Sequence, residues 1–254
     1  MINFSGINYN STRGRILRKL LSLIPASAIV PIVQGPLRGL KWVVGSSIHG
    51  CWLGSYELEK QRCLADLVKP GMVVYDIGAH VGFYTLFFAK LVGPDGLVYA
   101  FEPATQNLDF LSRHIKLNHL TNVQVQETAV GDHTGQAGFI LHPDSSSMNR
   151  LAALSEAAAE ESVPLLALDD FIRNGNPRPD FIKMDIEGAE FLALQGMQSL
   201  LAEKPPILSI AIHGEKVFSE CLPLLRDCGY ELYCLHMRRL VPGKYYDEII
   251  ACRQ

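Results

Sequence analysis

The sequence has 254 residues, of which 48% are hydrophobic and 19% charged, as expected for a globular chain of one large or two small domains. The formal net charge is −3, yet residues 1–56 contain six basic residues and no acidic one. The acidic remainder argues against a broad nucleic-acid-binding face. The six cysteines form neither a CxxC pair nor a Cys/His cluster with metal spacing, so we expect free thiols, a reducing cytoplasmic location and no zinc site.

Residues 1–56 are predicted to be a basic and apolar N-terminal arm, followed by one domain over residues 57–254. Apolar residues between Arg13 and Ile24 recur at helical spacing, which predicts a helix. The apolar run that continues to Val33 is too short and too interrupted by prolines for a membrane span. Three interpretations stay open: a helix packed on the domain, weak peripheral contact with an anionic membrane surface, or a secretory leader.

The first half of the domain alternates strand and helix patterns. SYELEKQRCLADL is predicted to be a helix capped by Ser55. It is followed by the buried strand GMVVYDIG, the helix VGFYTLFFAKLV, the strand GLVYAFEP and the helix ATQNLDFLSRHIKLNHL. NVQVQETAV is predicted as a third strand, QAGFILH as an extra strand, and LAALSEAAAEE as a short helix or a mobile cover.

The second half continues this alternation. The strand DFIKMDI is followed by a predicted continuous helix from Gly188, whose apolar residues from Ala189 to Leu201 form one core-facing stripe. PPILSIAIH is a strand, KVFSECLPLLRDCG a helix, and YELYCLH and YYDEIIACR are two closing strands. Strands separated by helices predict an α/β fold, with a Rossmann-like, mainly parallel sheet of seven strands and helices on both faces.

Ligands of such sheets bind beyond the carboxyl ends of the strands, so the turn in VVYDIGAHVGFYT is a candidate ligand site. A dinucleotide fingerprint is GxGxxG and brings a pyrophosphate to the helix N-terminus. Here the pattern is DxGxxxG, with Asp76 two residues before Gly78. An acid at that place predicts a ligand with a positive end. Glu102, at the end of the next strand, is predicted to accept both ribose hydroxyls. Ribose and a cationic amino-acid moiety occur together in S-adenosylmethionine.

For two parts of this predicted cofactor site, the sequence leaves two interpretations open. His80 either lines the site or caps the turn, and Tyr56 with Glu57 either closes over the methionine end or only begins a helix. The predicted cofactor-binding residues are Tyr56, Glu57, Asp76, Gly78, Ala79, His80, Gly82, Phe83, Tyr84, Thr85, Glu102, Pro103, Thr128, Ala129 and Asp185.

Several motifs in fixed order add a family resemblance. DIGAHVGFYT, FEP, LDDF and IKMDIEGAEF, preceded by GSYELEK, resemble the FkbM family of S-adenosylmethionine-dependent methyltransferases over roughly residues 53–213. The resemblance implies a class I methyltransferase fold and O-methylation of a small molecule or saccharide, with S-adenosylhomocysteine as the second product. Two positions depart from the family pattern: His80 stands where asparagine is commonest, and Ala211 where a glutamate is usual.

The predicted catalytic residues are Asp185, Glu187 and His213, all at strand ends. An alcohol oxygen is a weak nucleophile at neutral pH, so a base such as Asp185 or His213 would assist methyl transfer. Glu187 is an alternative partner of the next helix N-terminus. A divalent metal held by the three side chains is a further alternative, although we predict no metal.

Three other functions compete with O-methylation. A nucleotide-dependent oxidoreductase would need the GxGxxG that is missing here. A base-modifying nucleic-acid methyltransferase typically carries N/D-P-P-Y/F where this sequence reads DIEG. A catalytically weakened S-adenosylmethionine-binding domain stays open because of Ala211. The loop HPDSSSMNR and the segment after it are either an acceptor-binding lid or an insertion, and the sequence predicts no oligomeric state.

Overall fold

The computed structural model describes residues 3–4, 11–140, 142, 149–151 and 161–253. Most of the loop HPDSSSMNR and of LAALSEAAAEE lies outside these residues. The helices are α1 Thr12–Leu21, α2 His49–Leu53, α3 Leu58–Leu67, α4 Phe83–Val92, α5 Thr105–Leu117, α6 Leu168–Arg173, α7 Glu190–Gln195, α8 Gln198–Glu203 and α9 Glu215–Asp227. The strands are β1 Ile29–Pro31, β2 Lys41–Val43, β3 Val73–Ile77, β4 Leu97–Phe101, β5 Val123–Gln126, β6 Ala129–Val130, β7 Gly135–Ile140, β8 Arg150–Leu151, β9 Glu161–Leu166, β10 Phe181–Met184, β11 Ile207–Ala211, β12 Glu231–Tyr233 and β13 Glu248–Cys252.

The central sheet has seven strands in the order β12-β13-β11-β10-β3-β4-β5. The five strands from β11 to β5 are parallel, and β13 runs antiparallel to both of its neighbours. This confirms the predicted mainly parallel α/β sheet. The chain crosses from the β3-β4-β5 half to the β10-β11 half at the β3–β10 pair, so the crevice for a ligand is expected at their carboxyl ends.

A second sheet has four strands in the order β6-β9-β7-β8. The sequence patterns predicted the strands of this sheet incompletely. The extra strand predicted at QAGFILH is β7. The single strand predicted over NVQVQETAV is instead divided into β5 of the central sheet and β6 of the small sheet. The division falls at Glu127, where the Thr128 amide turns back to the Gln126 carbonyl at 2.9 Å.

The continuous helix predicted from Gly188 is interrupted, which corrects the sequence interpretation. It forms α7 and α8, with Gly196 between them. A Cβ at Gly196 would lie 1.9 Å from the Gly131 carbonyl oxygen, so only glycine permits this close approach. Leu192 of the predicted stripe is 39% exposed, while Ala193 and Leu201 are buried, so the stripe is not uniformly core-facing.

Part of the predicted arm packs into the core of the domain. Trp42 of β2 is buried and stacks on His114 of α5, with ring centroids 3.9 Å apart. The Val43 amide donates to His114 Nε2 at 3.1 Å, and the opposite ring nitrogen bonds to the Val81 carbonyl at 2.8 Å. His114 therefore joins the arm to the turn after β3. Where the domain begins stays a prediction.

No helix among the described residues has the length and apolar character needed to cross a bilayer. All six cysteines are free thiols, as predicted.

The buried His114 predicts an acid-sensitive fold. Burial lowers its pKa from 6.5 to about 4, so the unfolded chain binds the proton more tightly at mildly acidic pH. Stability is therefore full above pH 6.5 and falls as the pH drops. Between pH 8 and 5 we expect this histidine alone to remove about 2 kcal/mol, measured by urea unfolding at each pH.

A His114→Gln variant can keep both hydrogen bonds but does not titrate. We expect its unfolding free energy to lose about 2 kcal/mol less than that of the wild type over the same interval. Half-buried His80, whose pKa is also lowered to about 4, and His213, whose pKa is raised to about 9, remain in both proteins and contribute to the slope that the two proteins share. Identical pH dependence of the two proteins would contradict the role of His114.

Candidate active site

A cavity of about 980 Å³ opens at the carboxyl ends of the central strands, at the upper end of the size range for small-molecule sites. Its wall contains most of the predicted site residues: Tyr56, Glu57, Gly78, Ala79, His80, Phe83, Tyr84, Glu102, Pro103, Thr128, Ala129, Asp185, Glu187 and His213. Three predicted cofactor residues, Asp76, Gly82 and Thr85, do not line the cavity. Topology thus brings strand ends that are far apart in sequence into one site.

Unusual backbone conformations gather around this cavity. A Cβ on Gly78 would lie 1.9 Å from the Asp185 carbonyl oxygen, so the turns after β3 and β10 touch. Five described residues other than glycine have a positive φ, and three of them, Glu57, His80 and Glu187, line the cavity. Such strained conformations concentrate at functional sites because the surrounding fold must hold them.

Tyr56 and Glu57 line the cavity just before helix α3. The Tyr84 hydroxyl donates to Glu57 Oε2 at 2.7 Å, and the Tyr56 ring packs edge-on against Phe83. Helix α3 begins after Glu57, whose φ is 45°. Ser55 is therefore not the N-cap that the sequence predicted. The two residues are placed to close over a ligand, and this role stays a prediction.

Asp76 has a different role from the one predicted. It is completely buried; its Oδ2 accepts from Thr85 Oγ1 at 2.7 Å, and its Oδ1 lies 3.4 Å from Lys183 Nζ. Burial raises the pKa of Asp76, against the opposing effect of Lys183. The carboxylate thus neutralises Lys183, which also donates to the Gly78 carbonyl at 2.8 Å. Its predicted direct contact with a positive cofactor is corrected: Asp76 acts behind the turn, with Thr85.

Glu102 does line the cavity, but most of its acceptor capacity is used. It accepts from the His80 amide at 2.8 Å, the Ala104 amide at 3.0 Å and Asn107 Nδ2 at 3.1 Å. Burial raises its pKa, against these hydrogen bonds. A carboxylate offers about four acceptor positions, so roughly one remains. The predicted contact with two ribose hydroxyls stays a prediction, and the geometry gives most room to one.

Asp185 lies between two nearly buried lysines. Lys60 Nζ and Lys183 Nζ are each 4.0 Å from Asp185 Oδ2, and Lys60 is also paired with Glu248. Burial alone would raise the pKa of Asp185, but the two lysines and His213 outweigh it and lower the pKa. Asp185 is therefore a fixed negative charge at the cavity wall and a poor proton acceptor.

His213 is oriented by a buried carboxylate. Its Nδ1 lies 2.8 Å from Oε1 of Glu190, which is completely buried. Its Nε2 lies 3.7 Å from Asp185 Oδ1 and 3.5 Å from Glu187 Oε2. Burial by itself would lower the pKa of His213, but the hydrogen bond to Glu190 and the three carboxylates raise it to about 9. A ring held at Nδ1 with Nε2 toward the cavity is the arrangement of an oriented general base.

The same groups could hold a cation. One ligand atom each from Asp185, Glu187 and His213 lie within 4.8 Å of one another, and carboxylate and imidazole ligands suit several divalent metals. A cation bound by these three side chains would contact His213 Nε2. It would therefore compete with a proton for that nitrogen. The prediction of no metal remains to be tested.

Sequence reasoning missed four charged residues of this site. Lys183 left a signal, because a lysine inside the apolar strand FIKM is a buried charge that needs a partner. Glu190 lies within the motif IKMDIEGAEF but was given no role. Lys60 lies within the stretch GSYELEK but was likewise given no role, and Glu248 left no local signal. Glu248 faces Ala211 in strand register and lines the cavity, so the glutamate missing at 211 leaves no shortage of carboxylates.

The strand order and the cavity at the β3–β10 crevice together define a class I S-adenosylmethionine-dependent methyltransferase fold. A crystal structure of an FkbM methyltransferase from Methylobacillus flagellatus KT shares this fold, with a TM-score of 0.50 and 20% identity over 80% of this chain and 52% of that one. Residues 76–232 match the family model of the Methyltransferase FkbM domain. The chain belongs to the FkbM methyltransferase family, which confirms the resemblance.

Two relatives extend this assignment. The 31-O-demethyl-FK506 methyltransferase FkbM of Streptomyces tacrolimicus is 27% identical over 196 residues, covering 64% of this chain and 74% of that protein. Methyltransferase 1 of Beauveria bassiana is 24% identical over 144 residues, covering 49% of this chain and 57% of that protein. The protein is thus a methyltransferase that depends on S-adenosylmethionine.

Proposed function

We propose that the protein transfers the methyl group of S-adenosylmethionine to a hydroxyl oxygen of a small molecule or saccharide. One observation carries this proposal: His213, held by Glu190, presents Nε2 to the cavity beside the fixed charge of Asp185. The acceptor oxygen forms a bond to the methyl carbon as the bond from carbon to sulfur breaks. The hydroxyl proton passes to Nε2, and S-adenosylhomocysteine is left.

Other residues that line the cavity suit the donor S-adenosylmethionine. Glu102 offers an acceptor for a ribose hydroxyl. The carboxylates of Glu57 and Asp185 face the cavity and suit the positive sulfonium and ammonium groups of the donor. Apolar side chains such as Phe83 and Ile186 also line the cavity and would help to exclude water from the methyl-transfer path.

The acceptor is proposed from the relatives and from charge. The name of the Streptomyces tacrolimicus relative refers to an O-demethylated small molecule, which favours a hydroxyl acceptor here. Nucleic acid is not the proposed acceptor, because carboxylates such as Glu57, Glu187 and Asp247 line the cavity and would repel phosphates. A cytoplasmic location remains part of the proposal and fits the free cysteines.

A labelled-methyl transfer screen over hydroxylated small molecules and saccharides tests the proposal. We expect label in at least one acceptor, at a rate that rises with pH and is suppressed by S-adenosylhomocysteine. NAD should not displace the labelled donor. EDTA should change the rate by less than about twofold. His213, Lys60 and Lys183 already balance the carboxylate charges that a bound metal would otherwise balance.

Each other outcome of the screen has a clear meaning. Binding of NAD but not of S-adenosylmethionine would overturn the proposed cofactor. Donor binding with no transfer to any acceptor between pH 6 and about pH 10 would favour a catalytically weakened domain. Loss of activity in EDTA with recovery in Mg²⁺ would assign Asp185, Glu187 and His213 to a metal instead of a proton relay.

A further inference from the structure

Helix α1 and the turn that follows it carry two groups of apolar residues, and one group is covered while the other is exposed. Leu21 and Ile24 are partly buried and pack against the core cluster that contains Trp42 and Phe83. Ile16, Leu20 and Leu23, one residue earlier in each turn, are 56%, 59% and 76% exposed. Ile16 and Leu20, at i and i+4, share one face of α1, and Leu23, in the turn after the helix ends at Leu21, adds a third exposed apolar side chain. We call Ile16, Leu20 and Leu23 the outer stripe.

Basic side chains flank the outer stripe on the side away from the core. Arg15 and Lys19 immediately precede Ile16 and Leu20 in the helix. Since each residue advances about 100° around the helix axis, they lie opposite the packed stripe. Both are exposed, and residues 1–56 contain no acidic residue. An aliphatic stripe bordered by cations of one sign is the pattern of a helix that lies in the plane of a membrane interface.

The exposure of large apolar side chains is concentrated in this part of the chain. Of the ten such residues among the described part of the chain, six fall between positions 16 and 48. Single exposed aliphatic residues are normal on a soluble protein, whereas contiguous groups of them mark an interaction surface. The six are Ile16, Leu20, Leu23, Ile29, Val33 and Ile48.

The outer stripe also lies within reach of the cavity. Asn3 lines the cavity and Phe4 packs against the same core cluster. Helix α1 begins at Thr12, eight residues beyond Phe4, so no more than about 29 Å separates its first turn from that contact. Helix α1 therefore begins within that distance of the cavity-lining segment at Asn3.

We propose that the outer stripe docks on a bilayer surface rich in anionic lipid. The three aliphatic side chains enter the boundary between headgroups and acyl chains, and Arg15 and Lys19 contact lipid phosphates. A second copy of the chain is a poorer occupant, because two such faces would bring like charges together. The docking is weak, reversible and salt-dependent, and it does not depend on the proposed O-methyl transfer.

Sedimentation of the full chain with vesicles tests the proposal. We expect partition onto vesicles of phosphatidylcholine with phosphatidylglycerol at low salt, and little onto phosphatidylcholine alone. The paired variants Leu20→Asn with Leu23→Asn, and Arg15→Gln with Lys19→Gln, should each reduce the partition coefficient by about tenfold or more. Raising the salt concentration toward 1 M should release the wild type.

Matched controls use exposed residues elsewhere. Val241→Asn and Lys216→Gln remove an exposed aliphatic and an exposed basic side chain, and both variants should bind vesicles as the wild type does. Unaltered circular dichroism and thermal unfolding of the stripe variants ensure that lost binding is not lost folding. No partition onto anionic vesicles, or equal partition onto both vesicle types, would overturn the proposal. So would a dimer in solution that the Leu20→Asn with Leu23→Asn variant abolishes, since it would assign the stripe to self-association.

Discussion

Replacing His213 by asparagine is expected to lower kcat/KM for methyl transfer by about 10²–10⁴-fold, the usual contribution of a general base. Affinity for S-adenosylmethionine should change little, because Nε2 faces the position proposed for the acceptor oxygen. The measurement is steady-state transfer to the acceptor that the labelled-methyl screen identifies, together with calorimetric titration of the donor. This separates a lost proton acceptor from a lost cofactor site.

The pH profile makes this expectation sharper. A base must be neutral to accept a proton, and the carboxylates around His213 raise its pKa to about 9. Wild-type kcat/KM should therefore rise about tenfold per pH unit between pH 6.5 and 8.5 and level off above pH 9. Glu190→Gln removes the nearest negative charge but keeps an acceptor for Nδ1. The apparent pKa of His213 should fall in this variant, so the pH profile of kcat/KM should level off at lower pH.

The control is the exposed His133 between β6 and β7. His133→Asn should leave both kcat/KM and the pH profile unchanged. If His213→Asn retained wild-type activity, or if Glu190→Gln kept the wild-type pH profile, His213 would be a structural hydrogen-bond partner and another group would accept the proton.

The second large effect is expected at the buried pair of Asp76 and Lys183. Lys183→Met should destabilise the fold by about 3–5 kcal/mol, because it leaves a completely buried carboxylate without its cation. The change is measured by urea unfolding at pH 7. Lys183 also donates to the Gly78 carbonyl, so the variant should loosen the turn after β3 and weaken donor binding as well.

A double variant separates the charge effect from lost packing. Asp76→Asn with Lys183→Met contains no unpaired charge, and we expect it to recover more than half of the stability that Lys183→Met loses. Lys216→Met, at a lysine whose side chain is 87% exposed, should change stability by less than about 0.5 kcal/mol. If the destabilisation of the double variant equalled the sum of the two single variants, Asp76 and Lys183 would have no net interaction. The assignment of Asp76 would then need revision.

Much of the fold could be predicted from the sequence, because its signals are local. Hydrophobic periodicity located the strands GMVVYDIG, GLVYAFEP, DFIKMDI and PPILSIAIH, and their alternation with helices predicted the parallel sheet. Errors occurred where a distant contact overrides the local pattern. The helix from Gly188 reads as continuous, but the close approach of Gly196 to Gly131 divides it. In the same way, NVQVQETAV reads as one strand although its two ends belong to different sheets.

For the site, the sequence by itself predicted that Glu102, Asp185, Glu187 and His213 lie at strand ends, and the structure brings all four to one cavity. Only the tertiary structure decided how these groups are charged and oriented. Asp76 is paired with Lys183, 107 residues away, and Lys60 with Glu248, 188 residues away. Such pairs leave no local pattern, because a buried charge is stabilised by whichever opposite charge the fold brings beside it. The motif therefore specified the class of enzyme, and the packing of the sheet fixed the electrostatics that its chemistry requires.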